Sequence, residues 1–295
     1  MHSVIYFFQS VNINDMEKHK NNILIIGGPN SGKTHFGGQL YLRFRSDECN
    51  FKISTPPEDL TVFREVVDCL ANGRSAERSN VDLHQNLSLE VCDAENNKIS
   101  LSFPDYGGEQ VRKIVNNRMI SELWKSKILT SNNWMFFIRL DEVTEIEDIV
   151  NRSLPETVDT NNKADSVLKI SDNAFFVELL QMLLFIKQVS IKQSITTPKL
   201  MVVLSCWDTL KLDEGKIPAV LLKEKLPLFY EFINNIWDEK KLNIVGLSST
   251  GKTLNNKESD DDYLNNSPEN FGYVILPNGQ KEKNLTILIT EAIDK

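Results

Sequence analysis

Cysteine is sparse in this chain: Cys49, Cys69, Cys92 and Cys206 are its only four, spread without a C-x-x-C pair. That spacing offers neither a zinc knuckle nor a disulfide scaffold, and the expectation is reduced thiols in a cytoplasmic protein. Positive charge is short as well, with 33 Lys+Arg against 41 Asp+Glu and a formal net charge of -8. No overall positive field exists to gather nucleic acid or anionic lipid, so no direct nucleic-acid partner is expected. Long apolar runs are missing too. The most apolar stretch, Ala174 to Val189, is interrupted by Glu178, Gln181, Lys187 and Gln188, so it reads as a helix packed between sheet and neighbours and not as a membrane span. Near the amino terminus, the five-residue run Val4 to Phe8 has neither a basic flank before it nor a small-residue cleavage pattern after it, and it is too short for a secretory signal, so export is not expected. His2, His19, His35 and His84 show no pairing that suggests metal or acid–base chemistry. The composition, 41% hydrophobic and 25% charged over 295 residues, is that of an ordinary globular protein able to bury a full core.

Residues 1–20 read as an amino-terminal extension, either from a start upstream of Met16 or as a surface arm, and residues 21–295 as one domain. Ile23 to Ile26 is an unbroken apolar run, as in a buried parallel strand, and Gly-Pro-Asn-Ser-Gly after it forbids its continuation. A helix is predicted from Gly32 or Lys33, with Phe36, Leu40 and Phe44 at a spacing of four. Leu87 to Cys92 and Ile99 to Phe103 read as a hairpin, followed by a helix from Glu109 to about Leu129. Strands at Trp134 to Leu140, Leu200 to Ser205 and Leu242 to Leu247 then alternate with helices at Ala174 to Val189 and Ala219 to Trp237. Such alternation predicts an α/β fold, a mostly parallel central sheet with helices on both faces. Insertions are expected near residues 46–86, 141–169 and 251–270, the last with the acidic run Glu258 to Asp262, read as solvated surface.

Gly27-x-x-x-x-Gly32-Lys33-Thr34 matches a phosphate-binding loop. From Gly27 through Gly28, Pro29, Asn30 and Ser31 to Gly32, the backbone N–H groups are expected to turn toward a polyphosphate, with the following helix aiming its positive end at the same charge. Lys33 would place a full charge on the β and γ phosphates, and Thr34 would offer its hydroxyl to Mg2+. Asp105-Tyr106-Gly107-Gly108, at the end of a strand, fits Asp-x-x-Gly: Asp105 would hold Mg2+ through water and the Gly108 N–H would sense the γ-phosphate.

Two further strand ends complete the order. Ser205-Cys206-Trp207-Asp208 puts an aspartate where it accepts both N–H groups of a guanine edge, a pairing adenine cannot offer. Ser248-Ser249-Thr250 supplies backbone N–H groups for guanine O6. Through GGPNSGKT, DYGG, SCWD and LSST in order, residues 21–250 resemble the Ras-like GTPases of the translation-factor-related class. The resemblance implies GTP or GDP as ligand, Mg2+, and a switch that reorders when the γ-phosphate is lost. Departures are specific. Ser205 and Cys206 replace the Asn and Lys of Asn-Lys-x-Asp, Glu109 stands where a water-positioning Gln is common, and the Mg2+-binding switch threonine has no clean match, Ser79 lying nearest and Thr55 and Thr61 farther off. Lys33 and Glu109 are therefore the catalytic candidates. Arg74, Arg78, Arg112 and Arg139 are candidates for a charge-neutralising arginine, and Trp207 adjoins the expected base pocket.

The tail, Asn270 to Ile293, with Ala71-Asn72-Gly73-Arg74 and the S-x-W-D base motif, looks like the bacterial double-GTPase domains of multi-gene conflict and defence systems. That likeness implies protein partners encoded alongside. By itself the tail reads as a strand from Tyr273 to Leu276, a turn at Asn278-Gly279 and a closing helix from Leu285. The expectation is a slow GTPase switch. A P-loop ATPase or kinase, and a nucleotide-held scaffold without turnover, stay open as alternatives.

Overall fold

The computed structural model describes residues 21–46, 49–57, 61–76, 87–104, 108–144 and 171–293, with only the backbone at 61–63. Its centre is β1 (Asn22–Gly27), buried on both faces. Ile23 and Ile25 face one apolar layer and Leu24 and Ile26 the other, because side chains alternate along a strand. The phosphate-loop residues follow, then α1 (Lys33–Arg45). Next come β2 (Lys52–Thr55), α2 (Thr61–Ala71), and the hairpin β3 (Leu87–Cys92) and β4 (Lys98–Phe103). Two helices, α3 (Glu109–Asn117) and α4 (Glu122–Thr130), lead to β5 (Asn133–Arg139). The rest runs α5 (Asp172–Ile186), β6 (Lys199–Ser205), α6 (Pro218–Lys225), α7 (Pro227–Ile236), β7 (Leu242–Ser248), α8 (Asp261–Asn265), β8 (Tyr273–Ile275), β9 (Lys281–Glu282) and α9 (Ile287–Ala292).

The strands form one sheet in the order β2-β3-β4-β1-β5-β6-β7-β8-β9. Its inner pairs, from β4 through β1, β5 and β6 to β7, are parallel, and the pairs at both edges are antiparallel. On one face α1 and α9 bury Phe36, Leu40, Phe44, Leu288 and Ile289. On the other, α3 to α7 bury Trp124, Leu183 and Phe229, among others. Phe229 stacks on Phe136 of β5 with ring centroids 5.6 Å apart, and removing such a fully buried aromatic costs about 3–5 kcal/mol. No helix among the described residues is long and apolar enough to cross a membrane.

Two helices expected to be continuous are broken. The Glu109 to Leu129 helix stops at Arg118, left-handed at φ 56°, and restarts at Ser121, whose hydroxyl accepts the Trp124 N–H at 3.3 Å. The Ala219 to Trp237 helix divides at Leu226 (φ −134°, ψ 63°), because Pro227 pushes the residue before it out of the helical region. The acidic run is largely exposed, as its reading as solvated surface expects, with Asp260 half-buried and structurally engaged. Asp260 caps α8 by accepting the Tyr263 N–H at 3.2 Å and pairs with Lys252 at 2.7 Å.

That run belongs to a strap, residues 251–272, seated on α2. Val66, Leu70 and Tyr263 form a small separate core, with Leu42, Leu254 and Phe271 against it. Tyr263 stacks on Phe271 with ring centroids 3.8 Å apart, and its hydroxyl donates to Thr250 O. At Gly73, left-handed at φ 64°, the backbone passes so close that an added Cβ would stand 2.6 Å from Asp260 O. Gly73 O accepts the Asp260 N–H at 2.9 Å, and Asn255 O accepts the Ser75 N–H at the same distance.

Candidate functional site

The turn between β1 and α1 needs two left-handed residues, Asn30 at φ 60° and Gly32 at φ 81°. Gly32 is also crowded, since a Cβ there would lie 3.3 Å from Ser205 Cβ and 3.6 Å from Cys206 Sγ. Gly27 admits no side chain either: its Cβ would meet Ser31 Oγ at 2.6 Å and Phe137 Cβ at 2.9 Å. Gly28 faces open space. Pro29 and Asn30 are half-buried at the loop tip. Lys33 opens α1 and is 3% exposed. Its Nζ donates to Gly27 O at 2.6 Å, Gly28 O at 2.8 Å and Ser31 Oγ at 3.1 Å. A loop tight enough to exclude Cβ atoms, followed by a helix amino terminus and a buried ammonium, suits a polyphosphate. Thr34, half-buried in the first turn of α1, has the hydroxyl suited to a magnesium bridge. Among the described residues there is no group of three or more His, Cys, Asp or Glu able to hold a metal. Asp105 and Ser79, the other expected Mg2+ partners, lie outside the described residues, as do Tyr106, Gly107 and Arg78.

Gly108 and Glu109 are described. Gly108 is left-handed at φ 82°, and a Cβ on it would stand 2.3 Å from both Gly28 C and Pro29 N. The segment entering α3 therefore touches the phosphate loop backbone to backbone, which only glycine permits. Glu109 is the first residue of α3, half-buried beside that contact.

At the carboxyl end of β6, Asp208 holds its carboxylate between two hydroxyls. Ser248 Oγ donates to Oδ1 at 2.6 Å and Thr253 Oγ1 to Oδ2 at 3.3 Å, while Ser248 Oγ accepts the Gly251 N–H at 2.9 Å. Ser248 is fully buried and Ser249 half-buried. Thr253 carried no motif signal, because it lies in a stretch read as insertion. Trp207 is buried, its ring so close to Gly246 that a Cβ there would meet the indole at 2.4 Å. It serves the core more than a stacking surface, although with Asp208, Lys211, Tyr273 and Lys281 it also lines an open cavity of about 410 Å³. Burial lifts the Cys206 thiol to about 11, so it stays protonated.

The candidate arginines separate. Arg112 is exposed on α3 and Arg74 half-buried after α2. Arg139 is held by two carboxylates: Nε and Nη2 donate to Asp141 at 2.9 and 3.0 Å, and Nη1 lies 3.1 Å from Glu142. Asp141 also accepts from Thr209 Oγ1 at 3.0 Å. His35, beside Thr34, accepts the Ala76 N–H at Nε2 at 3.3 Å, and burial lowers its pKa.

A phosphate loop on the central strand of a mostly parallel sheet, with a glycine turn against it and an aspartate–serine pair two strands away, is the arrangement of a P-loop GTPase. The Double-GTPase 1 family model matches residues 24–292, and the chain belongs to that family of GTP-binding proteins. No curated protein matches the chain. Among solved structures, it is similar to the bacterial selenocysteine-specific elongation factor EF-Sec at 13% identity and a TM-score of 0.34, over 78% of this chain and 26% of the other. The GTP-bound GTPase-like domain of S. cerevisiae Ski7 matches at 13% and 0.37, over 81% of this chain and 46% of the other. A third, the signal recognition particle receptor SRb-GTP/SRX complex of Chaetomium thermophilum, matches at 13% and 0.36, over 79% and 93%. The chain thus spans about a quarter of the first and under half of the second.

Proposed function

We propose that this protein binds GTP with Mg2+ in the cytoplasm, hydrolyses it slowly, and acts as a conformational switch for protein partners in a bacterial defence-like system. In this reading residues 21–295 are one domain and residues 1–20 an extension. Lys33 neutralises the β and γ phosphates, Thr34, Asp105 and Ser79 serve the metal, and Asp208 with Ser248 and Ser249 reads guanine. One observation carries the switch: Gly108 packs directly on Gly28 and Pro29. A γ-phosphate held by the loop would sit where its charge bears on the segment entering α3, so its loss would release that segment. Glu109 supports slow turnover, since a carboxylate beside the γ-phosphate repels it.

Calorimetry of GTP, GDP and ATP with and without Mg2+, followed by phosphate release from the same samples, tests the reading. Selective, Mg2+-dependent GTP binding with slow release is expected. Lys33→Ala should lose triphosphate binding altogether, because the loop then has no ammonium to set against the charge; retained affinity would sink the phosphate-site assignment. Preference for ATP would favour an ATPase or kinase, and binding without release a scaffold.

A further inference from the structure

Resting on the nucleotide site above, we infer that Arg139 is a binding residue of that site, its guanidinium plane lying along the ribose and base. Along β5, Met135 and Phe137 face the layer that holds α1, whereas Phe136 and Ile138 face the opposite layer. Alternation puts Arg139 on the α1 face, two residues beyond Phe137, whose Cβ abuts Gly27 at the start of the phosphate loop. Arg139 also pairs in register with Ser205, the residue beneath Gly32, and Cys206 follows directly. The arginine therefore emerges at the carboxyl edge of the sheet, between the loop that takes phosphates and the Asp208 carboxylate that takes the base edge. A nucleotide joining those two ends passes this position.

The state of the guanidinium narrows its role. Asp141 takes Nε and Nη2, and Glu142 lies at Nη1. With in-plane donors engaged and two carboxylates offsetting its charge, Arg139 is poorly suited to a γ-phosphate, the role considered from the sequence. What it offers a ligand is its flat face, which stacks on π-systems and ribose. Its neighbour Cys206 is short, and its thiol lies beside Gly32, 3.6 Å from where a Cβ there would stand.

The test follows dissociation of N-methylanthraniloyl GDP and GTP from the full chain, comparing the parent, Arg139→Ala, and Arg139→Ala with Cys206→Lys. Arg139→Ala should speed dissociation about tenfold, equally for both nucleotides, as expected for loss of one stacking contact. Adding Cys206→Lys, which supplies a new stem and cation beside the same surface, should recover most of that loss. Parent-like dissociation from Arg139→Ala would overturn the inference, and so would a loss confined to GTP, which would place the arginine at the γ-phosphate. Failure of the lysine to rescue would mark Arg139 as a clip for Asp141 only. Should Arg139→Ala not fold, Arg139→Lys provides the same comparison, with a smaller rise expected and no rise overturning the inference. If the parent itself binds neither nucleotide, the nucleotide site fails and this inference with it; binding by the parent separates the two.

Discussion

Asp208 is held ready for a donor pair. Hydroxyls of Ser248 and Thr253 fix its two oxygens, so the carboxylate is oriented before any ligand arrives and loses little freedom on binding. Guanine presents two N–H groups to such an acceptor, and adenine does not. Asp208→Asn replaces an acceptor with an N–H donor, and GTP affinity should fall on the order of 100-fold while xanthosine triphosphate gains. Calorimetry with both nucleotides measures this, and an unchanged GTP affinity would remove Asp208 from the base site.

At the scale of elements, what matters is how the phosphate loop meets its neighbours. Gly108→Ala would drive a Cβ into the Gly28–Pro29 backbone at 2.3 Å while keeping a left-handed φ of 82°. The expected cost is about 2 kcal/mol or more in stability, with GTP binding weakened beyond GDP binding, as seen by thermal melts and calorimetry. A second junction is His35, which ties α1 to the segment after α2 through the Ala76 N–H. Burial holds its pKa below the ordinary 6.5, so below pH 6.5 the unfolded chain takes up a proton that the folded chain refuses. Stability should therefore fall as pH drops below 6.5, until the folded histidine also titrates. His35→Gln should flatten that slope in denaturant titrations at several pH values, and an unaltered slope would mean that other groups set it.

The strands and the phosphate loop were legible because their signals are local. Ile23 to Ile26 is apolar without a break, and Gly32-Lys33-Thr34 carries its chemistry in consecutive residues. The breaks at Arg118 and Leu226 were not recovered, since one depends on a left-handed arginine and the other on a proline that also tolerates the first helical turn. Thr253 and Asp141 were illegible for another reason. Their partners, Asp208 and Arg139, come to them only through folding or a short turn that no motif announces.

For the molecule as a whole, the two stretches read as separate insertions, near 46–86 and 251–270, share a core. Val66 and Leu70 from the first meet Tyr263 from the second, and Gly73 marks the tightest approach. Gly73→Ala should cost about 2 kcal/mol locally, because Asp260 O stands 2.6 Å from the new Cβ and φ is 64°. Hydrogen exchange should then quicken across residues 251–272 while β1 and β5 stay protected. Uniform quickening would show that the strap unfolds only with the sheet.

That shared core also sets a timetable for biosynthesis. Tyr263, which covers Val66 and Leu70, is made 193 to 197 residues after them (263 − 70 and 263 − 66). At about 5–20 residues per second, α2 waits on the order of 10–40 s for its cover. During that wait the apolar stripe of α2 has only α1 against it, at Gly38 and Leu42. The stretch that carries Ser248 and Thr253 thus arrives together with the residues that shelter α2, and one stretch of translation completes both.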